Sequence, residues 1–202
     1  MERSGMRARS ISVVLCAIGC CSVGIALADT KAGMIGRWKS ISCETRPGNQ
    51  HIKRDMTIRA DGTWTGFFEI FSDEQCRRST SSFRSGGVWR IAGDSVVAAD
   101  ALEIDFTITK AHIDVRAEDT ATYLNTARSG SCGTAPWAVG QGQDITATGC
   151  SLFGLTLPST EGDIIRASGG GLYLGERPSG GSLLPSSGAR PTGFQVPMFP
   201  AK

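Results

Sequence analysis

The stretch GRWKSISCETRPG, residues 36–48, combines a Gly-x-Trp triplet, a cysteine and an Arg-Pro-Gly turn within thirteen positions. It predicts a short first strand that carries Trp38, a disulfide at Cys43, and a chain reversal at Arg46-Pro47-Gly48 into the second strand. A large aromatic residue and a cysteine at the start of a domain indicate a β-structure whose first strand is bonded to a neighbouring strand.

Two further Gly-x-Trp triplets, Gly62-Thr63-Trp64 and Gly87-Val88-Trp89, follow at intervals of about 25 residues. An interval of two strands and two turns would place the tryptophans on alternate strands. A Gly-x-Trp triplet on the first strand is a feature of lipocalins and avidin-like barrels, in which the indole closes one end. Three ordinary core tryptophans are the alternative interpretation.

Apolar residues recur with period two along most of the chain, which is typical of half-buried strands. In MTIRADGTWTGFFEIF, residues 56–71, Asp61-Gly62 predicts a tight turn. Leu102, Ile104, Phe106 and Ile108 alternate with polar residues in the same way. Shorter strands are predicted at 82–91, 95–99, 112–115, 144–148, 161–167 and 172–175, and one short helix within 117–128.

The strand pattern predicts an all-β fold, an antiparallel lipocalin-like β-barrel that is closed or half-open. We expect a disulfide framework and at most one short helix. The barrel domain is predicted over residues 29–176. A Gly/Ser/Pro-rich tail follows at 177–202, and its apolar residues allow either a flexible tail or a strap packed on the barrel.

Residues 1–28 read as a signal peptide, with a basic start, an apolar run and an Ala26-Leu27-Ala28 cleavage site. This predicts a secreted or periplasmic protein. Two alternatives stay open: a membrane anchor, and a lipoprotein signal with Cys20 or Cys21 acylated. After signal cleavage we expect no integral membrane segment.

Removal of residues 1–28 leaves 18 basic and 18 acidic residues without a strong cluster of either sign. This balance argues against nucleic acid or an anionic membrane surface as the main partner.

Four cysteines remain, Cys43, Cys76, Cys132 and Cys150, and an even number in an exported chain predicts two disulfides. Three pairings exist, of which we favour Cys43–Cys76 with Cys132–Cys150; the spacing does not match a zinc site.

Catalytic and metal-binding motifs are weak. His112 and Asp114 share one strand face without an evident third ligand, and His51 lies in a turn-like segment. The nearest string to a nucleophile turn is Gly130-Ser131-Cys132-Gly133, in which Cys132 is better explained by a disulfide. We therefore expect a protein that is not an enzyme and that uses neither a cofactor nor a metal.

The order of these features resembles the APCDDC domain, the "adenomatosis polyposis coli down-regulated" family. The resemblance is carried by GRWKSISCETRPG, by FFEIFSDEQC, by SCGTAPWAVGQGQDITATGC and by GLYLGERPS with RPTGFQVP, over roughly residues 34–198. It implies a β-barrel with a lipid-accepting cavity and, in animal members, Wnt antagonism. It also implies that the four cysteines, Trp38, Arg46, Pro47 and Trp137 are framework residues.

The predicted function is therefore binding of a lipid acyl chain or another small apolar ligand inside the barrel. The candidate pocket residues are Trp38, Trp64, Phe68, Ile70, Trp89, Leu102, Ile104, Phe106 and Ile108. The alternatives are a filled core made by the same residues, and a protein-interaction module that binds a secreted or envelope protein partner.

Overall fold

The computed structural model describes residues 30–46, 48–177 and 190–201, and its main element is an antiparallel sheet of ten strands. The strands are β1 (Gly36–Lys39), β2 (Glu44–Arg46), β3 (Gln50–Ile58), β4 (Thr63–Phe71), β5 (Ser79–Asp94), β6 (Leu102–Val115), β7 (Gly142–Asp144), β8 (Ser159–Ser168), β9 (Gly171–Leu174) and β10 (Phe199–Pro200). Helix α1 spans Glu118–Leu124, and a 3-10 helix spans Ser151–Phe153. The predicted all-β class, with one short α-helix, is confirmed.

The sheet curls until its two ends meet. Its strand order is β10-β1-β3-β4-β5-β6-β8-β9, with β2 paired to β3 and β7 paired to β6. Bridges between Leu172 and Met198 and between Gly175 and Phe194 join the β9 edge to the end of the chain. Because β10 also pairs with β1, the result is the predicted antiparallel barrel in a nearly closed form.

Residues 190–201 close the barrel, and we call them the closing segment. The Arg190 guanidinium donates to the backbone carbonyls of Ile104 (2.8 Å) and Asp163 (2.9 Å) and pairs with the carboxylates of Glu103 and Asp105. These four contacts, together with backbone hydrogen bonds to β9 and β1, hold a proline-rich segment against the sheet. Residues 1–29, 47, 178–189 and 202, and with them the predicted signal peptide and part of the predicted tail, lie outside the described residues.

The turn between β3 and β4 forms at Asp61-Gly62, as predicted. Gly62 has φ +82°, a conformation that glycine adopts at low cost. The Asp61 carboxylate accepts hydrogen bonds from the Thr63 backbone N–H (2.9 Å) and hydroxyl (2.7 Å). The turn sets the register in which Ile58 lies opposite Trp64 and Ile52 lies opposite Ile70, which places these apolar side chains on one face.

The core consists of two clusters. The barrel core contains Met34, Trp38, Met56, Ile58, Trp64, Leu102, Ile104, Phe106, Ile108, Ile165, Leu172, Leu174 and Met198. The second cluster lies where helix α1 and the loops beyond it pack on the far half of β6, and includes Ile113, Val115, Leu124, Trp137 and Ile145.

The two disulfides of the structure are Cys43–Cys76 and Cys132–Cys150, the pairing favoured from the order of the cysteines. The first bond links the β1–β2 loop to the loop after β4. The second lies within the cluster beneath helix α1. In the described part of the chain, no helix is long and apolar enough to cross a membrane.

Three strand predictions were wrong in detail. The predicted strand at 95–99 is a turn, in which Ser95 N–H bonds to Ala101 and Ala101 N–H bonds to Ala98. The predicted strand at 112–115 is the end of the long β6. The strand predicted at 144–148 is β7, which spans Gly142–Asp144. It ends at Asp144 because the Asp144 carboxylate accepts a hydrogen bond from the Thr146 N–H and the chain bends there.

Two further expectations were corrected. His51, predicted in a turn, lies in β3, because this strand already begins at Gln50. Trp38 and Trp64 lie on alternate strands, because β3 separates β1 from β4 in the sheet, whereas Trp64 and Trp89 lie on the neighbouring strands β4 and β5. The second interval of about 25 residues reflects the length of β5, which spans 16 residues, rather than a repeat of two short strands.

Candidate functional site

An apolar pocket with a polar rim opens on the inward face of β3, β4 and β5, with a volume of about 70 Å³. We call it the inner pocket. Its apolar lining consists of Ile52, Trp64, Phe68, Ile70, Phe83, Ile108, Phe153 and Leu155. Its polar lining consists of Arg46, Gln50, Ser85, Glu161 and Arg177.

A second, larger cavity continues the inner pocket towards helix α1. This outer groove has a volume of about 320 Å³ and shares Gln50, Ile70, Phe83 and Phe153 with the inner pocket. Tyr123 and Leu124 of helix α1 line its far wall. The shared residues show that the two cavities adjoin each other.

Gly66 shapes the inner pocket because it lets Phe68 fold back over strand β4. A Cβ atom at Gly66 would lie 2.6 Å from Cε2 of the Phe68 ring and 3.2 Å from Cζ3 of Trp64. The Phe68 ring then lies near Phe83, with 6.3 Å between ring centroids. Both aromatic rings are half-buried, and Phe83 lines both cavities whereas Phe68 lines only the inner pocket.

Charged side chains line the barrel interior next to the inner pocket. Arg54 Nε lies 2.9 Å from the Glu44 carboxylate, and both side chains are buried. Arg177 pairs with the carboxylates of Glu161 and Asp163. These pairs neutralise most of the interior charge, which is the usual condition for burying charged groups.

Burial shifts the ionisation of this cluster. It raises the pKa of the Asp163 carboxyl to about 7, although the Ile164 and Gly175 N–H groups donate to one of its oxygens at 2.8 Å. It also lowers the pKa of Arg177 to about 9, together with the nearby positive charges of Arg46 and Arg54. Arg177 therefore still carries its charge at neutral pH.

A third cavity, the external cleft, lies on the outer face of the sheet and, at about 470 Å³, is larger than the inner pocket and the outer groove. Its lining is mostly polar and includes Arg37, Asp55, Arg84, Lys110 and His112. Several of these groups already have partners; the Arg37 guanidinium, for example, bonds to the Asp55 carboxylate at 2.8 and 3.0 Å. The smaller inner pocket is the better candidate site for an apolar ligand, because it combines apolar walls with buried polar groups.

Residues 22–148 match the family model described as APCDDC, adenomatosis polyposis coli down-regulated 1. The chain belongs to the APCDDC family. The matched range includes strands β1 to β7 and helix α1, whereas Cys150, β8, β9 and the closing segment lie beyond it. An APCDDC barrel of this kind is consistent with a binding or interaction module.

The nine predicted pocket residues of this APCDDC chain lie in three places. Trp64, Phe68, Ile70 and Ile108 line the inner pocket. Trp38, Leu102, Ile104 and Phe106 lie in the packed barrel core, together with Trp64 and Ile108. Trp89 is half-buried beside this core, and its indole N–H donates to the Arg59 carbonyl at 3.0 Å.

Sequence reasoning missed the charged interior of the APCDDC barrel. Arg54 shares the inward face of β3 with Ile52 and Met56, and Glu161 and Asp163 share the inward face of β8 with Ile165. The signal was present, because period-two alternation assigns these charged residues to the same face as their apolar neighbours. It was overlooked because charged residues are seldom buried without partners, and the partners lie far along the chain.

The residues of the candidate catalytic and metal motifs have ordinary structural contacts. Thr45 Oγ1 lies 3.2 Å from the buried His51 Nδ1, and His112 Nε2 lies 3.2 Å from the Asp114 carboxylate. Among the residues that the structure describes, no group of three or more His, Cys, Asp or Glu side chains is arranged to hold a metal ion. Cys132 forms a disulfide, and the Ser131 hydroxyl donates to the Arg128 carbonyl.

Proposed function

We propose that this APCDDC protein is an exported, non-enzymatic binding protein that accommodates a lipid acyl chain or another small apolar ligand. The observation that carries the proposal is that the outer groove adjoins the inner pocket, with Ile70, Phe83 and Phe153 lining both. These side chains give the two cavities a common apolar wall.

Under this proposal, the two ends of the ligand occupy different cavities. Small-molecule sites generally measure about 300–1,000 Å³, so the outer groove is large enough for a chain and the inner pocket is not. Each methylene buried in the groove contributes roughly 0.8 kcal/mol. The chain therefore lies in the outer groove, and one end of the ligand enters the inner pocket. The rest of the barrel is filled by its own side chains.

The two disulfides indicate an extracellular or otherwise oxidising environment. Export to the periplasm or the medium fits that chemistry and the signal-like residues 1–28. In such a compartment a ligand with a long apolar chain needs a carrier or a receptor, because water solvates the chain poorly.

The test compares two neighbouring phenylalanines of β4. Phe68 lines the inner pocket, whereas Phe67 points to the opposite face and lines the external cleft. Both are half-buried, so Phe67→Ala is a matched control for Phe68→Ala. Titration with a fluorescent fatty acid should show affinity reduced about tenfold or more for Phe68→Ala and little changed for Phe67→Ala.

Native mass spectrometry of the purified protein, with extraction of bound lipid, provides the second measurement. We expect a bound species that is lost on organic extraction. A protein that is empty after purification and also fails to bind the fluorescent fatty acid contradicts the proposal. Equal loss of affinity in the two phenylalanine variants would show that the ligand does not use the inner pocket.

A protein-interaction module is the second candidate function, and the external cleft favours it. Arg84 and Lys110 lie there beside Asp55 and Asp144, on an outer sheet face large enough to contact an extended segment of a secreted or envelope protein. Under this alternative, charge reversal at Lys110 abolishes capture of the partner, and Phe68→Ala leaves it unchanged.

A further inference from the structure

Three residues that line the inner pocket each carry a buried polar atom without a hydrogen-bond partner. Within the described residues, the unpartnered buried side-chain atoms are Arg46 Nε, Arg54 Nη1, Trp64 Nε1, Ser85 Oγ and Arg166 Nε. Arg46, Trp64 and Ser85 all line the inner pocket. Trp64 and Ser85 are only 4% and 6% exposed, so bulk water does not satisfy these groups.

The chemistry of these three atoms determines which kind of ligand group could bond to them. Indole Nε1–H and guanidinium Nε–H are donors only, and a serine hydroxyl donates readily. A buried donor that lacks an acceptor costs about 1–3 kcal/mol, so a group with several acceptor oxygens would relieve all three sites at once. A hydrocarbon end, or a group that only donates hydrogen bonds, would leave the three buried atoms unpaired.

The charge at the pocket favours an anion. Arg54 and Arg177 have carboxylate partners, whereas the ion pairs of the described residues include none for Arg46, whose side chain bonds only to the neutral Gln195 amide oxygen at 3.0 Å. Burial and the positive charge of Arg54 lower the pKa of Arg46 to about 10, against the opposite effect of the Glu44 and Asp163 carboxylates, so the guanidinium is charged at neutral pH. An incoming anion would give Arg46 a direct ion-pair partner.

The size of the inner pocket agrees with a small head group. A water molecule occupies about 30 Å³ of liquid, so about 70 Å³ holds a group of only a few heavy atoms. A carboxylate fits this space, whereas the bulky head of a phospholipid does not.

We propose that the ligand is an amphiphile whose polar end is a carboxylate, held in the inner pocket by Arg46, Trp64 and Ser85, with its apolar chain in the outer groove. This inference rests on the proposed function and adds the class of head group. A long-chain fatty acid, free or released from a larger lipid, has this chemistry.

The test measures how well sodium dodecanoate and 1-dodecanol displace the fluorescent fatty acid. The two compounds share a chain length and differ in the charge of the polar end. We expect dodecanoate to bind about tenfold or more tightly than dodecanol. Arg46→Gln should remove most of that difference by weakening dodecanoate alone. Arg59→Gln, at an exposed arginine on the β3–β4 turn, is the control and should change neither affinity.

Ser85→Ala gives a second readout that a purely structural role would not produce. Because its hydroxyl is unpartnered, its removal should leave the thermal stability of the ligand-free protein unchanged or raised, while dodecanoate affinity falls severalfold. Equal affinities for dodecanoate and dodecanol would overturn the head-group inference and leave the proposed function standing. Failure of both to bind would contradict the proposed function itself.

Discussion

The side chain of Arg46 donates a hydrogen bond of 3.0 Å to the side-chain oxygen of Gln195, 149 positions later in the chain. The amide nitrogen of Gln195 in turn donates to the carbonyl of Gly175, next to β9. The rim of the inner pocket is therefore bonded directly to the segment that closes the barrel. Arg46 therefore belongs both to the lining of the inner pocket and to the contacts that close the barrel.

Arg190→Ala should release the closing segment. The substitution removes both ion pairs and both carbonyl contacts of Arg190, and leaves the buried Asp105 carboxylate with Arg90 as its remaining cation. We expect the free energy of unfolding to fall by about 3 kcal/mol in urea denaturation. Arg84→Ala, which breaks an ion pair between an exposed arginine and Asp114, should cost less than about 1 kcal/mol. Equal losses in the two variants would show that Arg190 does not hold the barrel closed.

Gly66→Ala should destabilise the protein and disturb the inner pocket. The new methyl group would lie 2.6 Å from the Phe68 ring, so the ring must move. Overpacking of this kind costs about 1–3 kcal/mol. The measurement is urea denaturation combined with near-ultraviolet circular dichroism, which reports the aromatic environment. Gly93→Ala is the control because a Cβ there meets no atom within 4 Å. An unchanged aromatic spectrum in Gly66→Ala would contradict the predicted displacement of Phe68.

Each disulfide should stabilise the fold separately. The bonds close loops of 33 and 18 residues, for which the chain-entropy model gives about 4 and about 3 kcal/mol. Paired alanine substitutions at Cys43 and Cys76, or at Cys132 and Cys150, should therefore lower the free energy of unfolding by these amounts. Urea denaturation of the two variants and of the reduced wild-type protein provides the measurement. A reduced protein as stable as the oxidised one would contradict this account.

Asp163 should make stability depend on pH between about 4 and about 7. Its folded-state pKa of about 7 lies above the unfolded value of about 3.9, so the folded state binds the proton more tightly. The contribution of Asp163 to stability is therefore greatest at low pH and declines as the pH rises through this interval. Asp163→Asn keeps an acceptor oxygen for the Ile164 and Gly175 N–H groups and removes the titration.

The free energy of unfolding of Asp163→Asn, measured relative to wild type, should thus increase steadily from pH 4.5 to 7.5 in urea titrations. Asp144→Asn is the control, because hydrogen bonds from Thr146 lower the pKa of Asp144 and keep it ionised throughout this range. A constant difference between Asp163→Asn and wild type across the range would show that Asp163 does not titrate there.

Much of the fold was predictable because its signals are local. Alternating side chains in β4 and β6 and the Asp61-Gly62 turn depend on residues within a few positions of each other. The errors arose where a short side chain redirected the backbone, as Asp144 does after β7, since such turns override the apolar pattern of the neighbouring residues.

The candidate site was less predictable for a different reason. Period-two alternation placed Trp64, Phe68 and Ile70 on the inward face, and they do line the inner pocket. The same pattern does not distinguish a lining residue from a packed one, because both face inward; Ile104 and Phe106 are packed. Pocket volume depends on how side chains from separate strands fill the space between them.

The sequence by itself determined the all-β class, the position of the first hairpin and the apolar character of the inward faces, since these follow from backbone geometry and from water's exclusion of apolar groups. Only the tertiary structure decided that residues 190–201 close the barrel and that Arg46 meets Gln195 beside the inner pocket. Those contacts join residues far apart in the chain, and their existence depends on the curvature of the whole sheet rather than on any local pattern.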